Sequence, residues 1–176
     1  NRIVKGNLLN LAREERLHVR LMPGISAIDC MSVDLELDPA HSGLQIYDAT
    51  DLLLKQRPIQ TDVPCFVWQP GAVESNLFTT SQNKPERFVH LKDYLLKFYP
   101  SNHLVTIVTS AFNPAIHSDL TSIQLGNLEK AYNKLHASSS LYIQPIKNRP
   151  IVDKLLFMTL ESEEHLQLLT KPFSKD

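Results

Sequence analysis

The order of apolar and polar residues predicts short strands that alternate with short helices along most of the chain. Apolar runs of strand length are bounded by proline, glycine and asparagine, and stretches with helical spacing of apolar residues separate them. The predicted strands cover residues 18–22, 44–48, 65–69, 103–109, 121–125 and 140–143. The predicted helices cover residues 3–17, 26–35, 49–56, 85–98, 127–135 and part of 151–170. This alternation predicts the α/β class, with a mixed sheet of about five strands flanked by helices.

Two further features of the pattern concern the arrangement of the chain. The run 65–69 is almost wholly apolar, which is typical of a strand that is covered on both faces. A basic turn flanked by prolines follows the last predicted strand, at 147–150. We therefore predict a compact domain over residues 1–146 and a C-terminal helical extension over residues 147–176.

The start of the second predicted helix carries a capping signature. Pro23-Gly24 breaks the preceding strand, and Ser26 is followed three residues later by Asp29. Such a helix start leaves backbone N–H groups free to hold an anion, for example the carboxylate of a ligand. The alternative is a plain strand-to-helix connection without a ligand, because capped helices are far more common than ligand sites.

Small and polar residues follow three of the predicted strands. These turns are 23–26, then Gln69 with Pro70-Gly71, then Ser110 with Ala111. Ligands bind at the carboxyl ends of strands in open α/β sheets, so the three turns are expected to line one crevice. The run Ser138-Ser139-Ser140 lies at the start of the last strand. If that strand runs antiparallel, the run reaches the same edge and offers hydroxyls to a polar ligand. The alternative is a ring of ordinary loops.

Composition and charge exclude several classes of partner. The chain has 176 residues, of which 43% are hydrophobic and 21% charged, and its formal net charge is −1. This balance does not favour nucleic acid or a membrane surface, and no apolar run approaches the roughly 20 residues of a membrane helix. Cys30 and Cys65 lie in apolar contexts and are expected to be reduced core thiols of a cytoplasmic protein. The seven histidines lack ligand spacing, so we predict no metal.

Common catalytic motifs are absent from the sequence. There is no glycine-rich dinucleotide fingerprint and no Gly-x-Ser-x-Gly elbow, which argues against nucleotide-binding and hydrolase functions. The carboxylate pairs Asp29/Asp34 and Asp48/Asp51 are candidates for acid–base chemistry. In such positions carboxylates more often cap helices or face solvent.

At these residues the chain resembles the C-terminal lobe of the tetrapyrrole methylase superfamily, the class III S-adenosylmethionine methyltransferases. The resemblance is strongest to the borosin-type peptide backbone N-methyltransferases. It rests on PGISAIDCMSVDLELDP, GLQIYDATDLLL and FVWQPG, followed in the same order by FYPSNH, SAFNP, QLGNL and SSSLYIQP. The match covers approximately residues 5–145, and the long central run is its most specific part. Glu36 stands where the branch usually has glycine, and Asp48 where it has glutamate.

The resemblance implies S-adenosylmethionine as the cofactor and assigns residues to its site. Ser26 and Ala27 are expected beside the methionyl part, and Gln69 lines the cofactor from the central strand. Ser110 or Ala111 is expected to contact the adenosine. Ser139 and Ser140 of the serine run are also expected to contact it, and all these contacts are side-chain and backbone hydrogen bonds. Among these assignments, Ala27 and Gln69 match the family pattern most directly.

The resemblance also implies what lies outside the sequence. Family members carry an N-terminal lobe with a glycine-rich loop and with the tyrosine and arginine residues that handle the substrate amide. The chain begins at Asn1, near the point where that lobe would end, so we expect the catalytic residues to lie in the missing lobe and name none here.

Three functions remain open at this point. The first is a methyltransferase that acts on backbone amides of a ribosomally synthesised precursor peptide, as a homodimer. The second is a porphyrin or corrin C-methyltransferase on the same fold. The third is a non-catalytic lobe that dimerises or binds a partner, with an interface formed by apolar residues of 86–98.

Overall fold

The computed structural model describes residues 10–15, 24–75, 77, 81–111, 113 and 115–171. The predicted strand 18–22 lies outside these residues. Most of the predicted helix 3–17 does too, although residues 10–14 are helical. The remaining predictions of secondary structure fall on described residues.

Besides the helical residues 10–14, the described chain forms five strands, five α-helices and three 3-10 helices. The first half contains α1 (Ala27–Asp34), β1 (Gln45–Asp48), α2 (Ala49–Lys55), β2 (Cys65–Trp68) and the 3-10 helix Pro70–Ala72. The middle contains the 3-10 helix Pro85–Phe88, α3 (Val89–Leu95), β3 (Leu104–Thr109), β4 (Asp119–Gln124) and the 3-10 helix Leu125–Ala131. The last elements are β5 (Ser140–Ile143), α4 (Lys154–Thr159) and α5 (Glu163–Leu169).

The strands form one mixed sheet in the order β1-β2-β5-β3-β4. β1 and β2 are parallel, whereas β5 runs antiparallel to both β2 and β3. β3 and β4 form an antiparallel hairpin. This confirms the predicted mixed α/β sheet. The last strand runs antiparallel to its neighbours, which is the condition under which the serine run reaches the rim.

Two clusters of side chains cover the two faces of the sheet, because successive strand residues point to opposite faces. We call the first the major layer: α2, Val73, α3 and the 3-10 helices Pro85–Phe88 and Leu125–Ala131 pack on Cys65, Val67 and their neighbours in β3 and β5. We call the second the minor layer: α1 and residues 35–44 pack on Phe66 and Val108. β2 is therefore covered on both faces, as its apolar run predicts.

The structure corrects three predictions. The helix predicted over 127–135 is wrong: the segment overlaps the 3-10 helix Leu125–Ala131, whose N-cap is Gln124 without a side-chain bond. The helix predicted over 85–98 is split into a 3-10 helix and α3. The proposed interface on 86–98 is also wrong, because Phe88, Leu91 and Leu95 are fully buried in the major layer.

The C-terminal segment differs from the rest of the chain. Its helices α4 and α5 bury no residue, and Val152 and Leu168 are 85% and 84% exposed. The turn before them is tied to the domain by the bond from Ile146 N–H to Thr61 O and by the ion pair of Arg149 with Asp62. The boundary at residues 146–147 stays a prediction. None of the helices in the described part of the chain is both long and apolar enough to cross a lipid bilayer.

Candidate functional site

The ends of three central strands meet at one rim of the sheet. Ser140 is in register with Trp68 of β2 on one side and with Val108 of β3 on the other. The residues after β2 and β3 therefore lie beside the residues before β5. The predicted convergence of Gln69, Ser110 and Ser139 follows from this register.

Two adjoining cavities lie between this rim and α1. The first, of about 230 Å³, is lined by Ala27, Trp68, Gln69, Ala137, Ser138, Ser139 and Ser140. The second, of about 240 Å³, is lined by Ile25, Ser26, Ala27, Cys30, Met31, Val108, Ser110, Ala111, Ser138 and Ser140. All seven residues predicted for the cofactor site line one or both cavities, which share Ala27, Ser138 and Ser140.

The N-terminus of α1 forms one wall of the second cavity. The Ser26 hydroxyl accepts from the Asp29 N–H at 3.4 Å, and the Ser26 N–H donates to the Asp29 carboxylate at 2.9 Å. These bonds form the predicted capping box, and the donation from the Ser26 backbone holds the pKa of Asp29 below its usual value. The remaining first-turn N–H groups have no acceptor within an α-helix, so this wall offers donors to a ligand anion.

Gln69 connects β2 to the following 3-10 helix in a left-handed conformation, with φ 54° and ψ 40°. This region is unfavourable for a residue with a side chain, and such residues are concentrated at functional sites. The conformation turns the chain sharply at the end of the strand, and the exposed side chain of Gln69 lies at the first cavity.

Gly71 allows the 3-10 helix Pro70–Ala72 to approach the loop before β5. A Cβ atom at this position would lie 2.3 Å from the carbonyl carbon of His136. The Asn83 amide nitrogen joins the same two segments, since it donates to Gly71 O at 2.9 Å and to Leu135 O at 2.8 Å. Arg87 in turn donates to the Asn83 side-chain oxygen at 2.7 Å. These contacts fix the loops that carry Gln69 and the serine run.

Within the serine run, the three side chains have different environments. The hydroxyl of Ser139 is buried in a turn, where it donates to His136 O at 2.7 Å and accepts from the His136 N–H at 2.9 Å. Its hydroxyl group is therefore used by the loop, and its neighbours Ser138 and Ser140 line both cavities. Among the three serines, Ser138 and Ser140 therefore have the hydroxyls that are not engaged in these two bonds to His136.

The predicted carboxylate pairs have local partners. Asp48 caps α2 by accepting from the Asp51 N–H at 2.9 Å, and Asp51 forms ion pairs with Lys55 and Arg57. Asp34 behaves differently: it binds Ser110 and Ser118 across the cavity edge. The interpretation of the pairs as caps and surface groups is confirmed for Asp29, Asp48 and Asp51.

The rim extends beyond the first cavity as a groove. A cavity of about 280 Å³ is lined by Asp48, Thr50, Gln69, Ala72, Ser75, Leu77 and Ala137. It leads to a more open one of about 530 Å³, lined by Thr50, Leu53, Leu54, Glu74, Ser75 and His90. His90 Nδ1 lies 2.8 Å from Glu74 Oε1 at this end.

Several lining residues were missed by sequence reasoning. Trp68 ends an apolar strand, and Cys30 and Met31 lie in an apolar stretch of a predicted helix, which is the local pattern of core residues. Ser138 belongs to the serine run that was expected at this edge, although the family resemblance assigns only Ser139 and Ser140 to the cofactor.

Curated relatives with similar sequences are named as methyltransferases and ribosomally synthesised cyclic peptide precursors. The type I borosin cyclic peptide precursor gjuMa of Gymnopilus junonius is 34% identical over 143 residues, which cover 80% of this chain and 33% of that protein. The omphalotin A precursor ophMA of Omphalotus olearius is 32% identical over 142 residues, 78% of this chain and 33% of that protein. The chain thus spans about a third of the length of these relatives. No protein-family model matches it.

Solved structures with a similar fold are tetrapyrrole methyltransferases. The methyltransferase CobJ has a TM-score of 0.51 at 11% identity, over 82% of this chain and 59% of that chain. Uroporphyrin-III C-methyltransferase from Thermus thermophilus, in complex with S-adenosylhomocysteine, has a TM-score of 0.52 at 12% identity, over 80% of this chain and 59% of that chain. The chain is therefore a homologue of the borosin methyltransferase–precursor proteins over part of their length, with a fold shared with the tetrapyrrole methyltransferases.

Proposed function

We propose that this chain forms one side of an S-adenosylmethionine site in a methyltransferase that N-methylates backbone amides of a ribosomally synthesised precursor peptide. One observation carries the proposal: the seven residues that the family resemblance assigns to the cofactor line two adjoining cavities on a single rim. The borosin relatives are named as methyltransferases and precursors of cyclic peptides, which supports a peptide as the acceptor.

The groups at the rim suit the parts of such a cofactor. The first turn of α1, at Ser26 and Ala27, presents backbone donors to the methionyl carboxylate. Gln69 offers an amide that both donates and accepts, and the hydroxyls of Ser138 and Ser140 provide contacts for the adenosine. Ser110, Ala111 and Ser139 complete the wall, the last through its backbone. The bound cofactor supplies an electrophilic methyl group on a sulfonium.

The contribution of this wall to catalysis is orientation. Holding a donor and an acceptor in line supplies a large part of the acceleration of a group transfer. An amide nitrogen is a poor nucleophile and needs a base or a stabiliser of negative charge at the amide oxygen. The described side chains that line the two cavities are mainly alcohols, one amide, one thiol and apolar groups. We therefore name no catalytic residue in this chain and assign the amide chemistry to an N-terminal lobe.

Calorimetric titration of the full-length protein with S-adenosylhomocysteine tests the cofactor site. We expect binding that Gln69→Ala weakens by about tenfold, the loss of one or two hydrogen bonds to the ligand. Gln124→Ala, at the exposed end of β4, is the matched control and is expected to bind as the parent does. If the parent protein does not bind this ligand, the proposed function is refuted.

Mass spectrometry of the products identifies the acceptor. Incubation with S-adenosylmethionine and a precursor peptide is expected to give peptide products that differ by successive methylene masses. The fold neighbours act in tetrapyrrole chemistry by their names, so a uroporphyrin-type acceptor is the second candidate. If the uroporphyrin-type ring is methylated and the peptide is not, the second candidate is selected.

We further propose that the protein is a cytoplasmic homodimer. The apolar side chains that α4 and α5 expose, among them Phe157, Met158 and Leu168, support a protein surface as their cover. The free thiols Cys30 and Cys65 support a reducing compartment. Light scattering is expected to give the mass of a dimer. Phe157→Ser is expected to lower this mass. The control Lys154→Ser, at an exposed polar position of α4, is expected to leave it unchanged. An unchanged mass for both variants contradicts this interface, and cell fractionation checks the compartment.

A further inference from the structure

One carboxylate joins α1 to both ends of the loop between β3 and β4. The Ser110 hydroxyl donates to Asp34 Oδ2 at 2.6 Å, and the Ser118 hydroxyl donates to Asp34 Oδ1 at 2.8 Å. The Ala111 N–H donates to the Ser118 hydroxyl oxygen at 3.0 Å. The two ends of the loop are thus held to each other and to the last residue of α1.

The location of Asp34 is unfavourable by local rules. It is the last residue of α1, where the helix macrodipole is negative, and the last turn contains no basic residue. A carboxylate at this position is compensated by its two hydroxyl donors, since bonds to an ionised acceptor are stronger than bonds between neutral groups. Its contacts with Ser110 and Ser118, which we call the junction, are therefore better explained by the link they make to the loop than by the stability of the helix.

The junction lies directly beside the second cavity. Ser110 and Ala111 line that cavity from the loop, and Ile25, Ser26 and Ala27 line it from the other end of α1. Asp34 and Ser118 are not among the lining residues. The bonds of Asp34 fix where the loop wall stands relative to the helix wall, and so they fix the width of the space between the two walls.

We propose that Asp34 is a positioning residue for the methyl donor: by tying Ser110 and Ser118 to α1, it sets the width of the cavity that takes the donor. The inference rests on the proposed function, because it concerns the same cavity. It adds a residue that acts on the ligand through the loop and not by contact.

Two substitutions remove the junction without touching the cavity wall. Asp34→Asn replaces one acceptor oxygen with an NH₂ group, so one serine loses its acceptor. Ser118→Ala leaves one oxygen of Asp34 and the Ala111 N–H without this partner. Ser118→Thr keeps the hydroxyl. Asp38→Asn is the matched control, since Asp38 is exposed and its carboxylate accepts from the nearby Ala40 N–H.

The measurement is the affinity of the full-length protein for S-adenosylhomocysteine, with the melting temperature as the check on folding. Asp34→Asn and Ser118→Ala are each expected to weaken binding by roughly 3- to 30-fold, the range for residues that act on a site through others. The double variant is expected to be no weaker than the stronger single variant, because both remove one junction. Ser118→Thr restores the affinity and Asp38→Asn leaves it unchanged.

The results separate this inference from the proposed function. If the parent protein binds the ligand and both junction variants bind it equally well, the role of Asp34 is refuted and the cofactor site stands. If the parent does not bind, the proposed function fails and takes the inference with it. A variant that lowers the melting temperature is assessed by hydrogen exchange: faster exchange confined to 110–118 supports the junction, and faster exchange throughout the sheet contradicts it.

Discussion

On one face of the sheet, the major layer buries a cluster that includes Phe88, Leu91 and Leu141, whereas the minor layer on the other face buries only Met31, Phe66 and Val108 among the described residues. The cavities assigned to the donor lie at the edge of the minor layer, against α1. The major layer holds the rim loops from behind, through Gly71 and Asn83. The major layer thus contributes most of the buried apolar side chains, whereas the minor layer borders the proposed donor site. Each prediction that follows tests whether stability and ligand binding are divided in this way.

The largest effect is expected where the major layer meets the rim. Gly71→Ala places a Cβ 2.3 Å from a backbone carbon, and backbone cannot move aside as a flexible side chain does. We expect a loss of at least about 3 kcal/mol in the free energy of unfolding, measured with urea. Gly24→Ala is the control, because a Cβ at Gly24 meets nothing within 4 Å. Equal stability of the two variants would show that the loops are not in close contact.

A matched pair of buried helical residues compares the layers directly. Leu91 in α3 and Met31 in α1 are both buried, and truncation of such residues to alanine costs about 2–5 kcal/mol. Leu91→Ala is expected at the upper end, because its neighbours are fully enclosed and close the cavity poorly. Met31→Ala is expected at the lower end, since half-buried residues surround it and relax into the space.

For the affinity of the protein for the ligand, the two variants Met31→Ala and Leu91→Ala are expected in the opposite order. Met31 lines the second cavity, whereas Leu91 lies on the far side of the sheet. Binding of S-adenosylhomocysteine, measured by calorimetry, is expected to weaken in Met31→Ala and to persist in Leu91→Ala. Weakening of the same size in both variants would contradict the division between the layers.

A smaller loss is expected from the amide that ties the rim loops together. Asn83→Ala removes the donor to Gly71 O and to Leu135 O and leaves the Arg87 guanidinium without one acceptor. We expect a loss of about 1–3 kcal/mol in the free energy of unfolding. Asn127→Ala, whose side chain makes a 3.5 Å contact with Gln124, is the control and is expected to change stability little. A neutral Asn83 variant would mean that water replaces the amide at both carbonyls.

The sequence predicts those features of the fold that local signals determine. The Ser26-x-x-Asp29 pattern predicts the start of α1 and its capping box, and the apolar run 140–143 predicts β5 with its observed bounds. The turn residues after β2 and β3 identify the rim, and the antiparallel direction of β5 brings the serine run to it.

The features that the sequence misses depend on contacts between distant segments. The segment 125–131 becomes a 3-10 helix whose start is tied to another loop, by Leu125 N–H to His103 O and by Gly126 N–H to Ser101 O, both at 2.8 Å. The bonds of Asp34 to Ser110 and Ser118 span 76 and 84 positions. Nothing in the local sequence around Asp34 distinguishes it from a solvated carboxylate.

The smallest perturbation compares one thiol from each layer. Burial in the major layer raises the pKa of Cys65 to about 12, whereas Cys30 in α1 is half-buried and lines the second cavity. Thiolate is the reactive form of cysteine. At a pH four units below its pKa, a thiol is ionised to only about one part in ten thousand. At pH 8 we expect iodoacetamide to label Cys30 and to spare Cys65 in the folded protein, as read by peptide mass spectrometry. Cys30→Ser removes the label, and saturating S-adenosylhomocysteine slows labelling of the parent protein if the donor occupies that cavity. Labelling of Cys65 at a comparable rate would show that the major layer opens as readily as the minor layer. That result would contradict the proposed division of stability and ligand binding between the two layers.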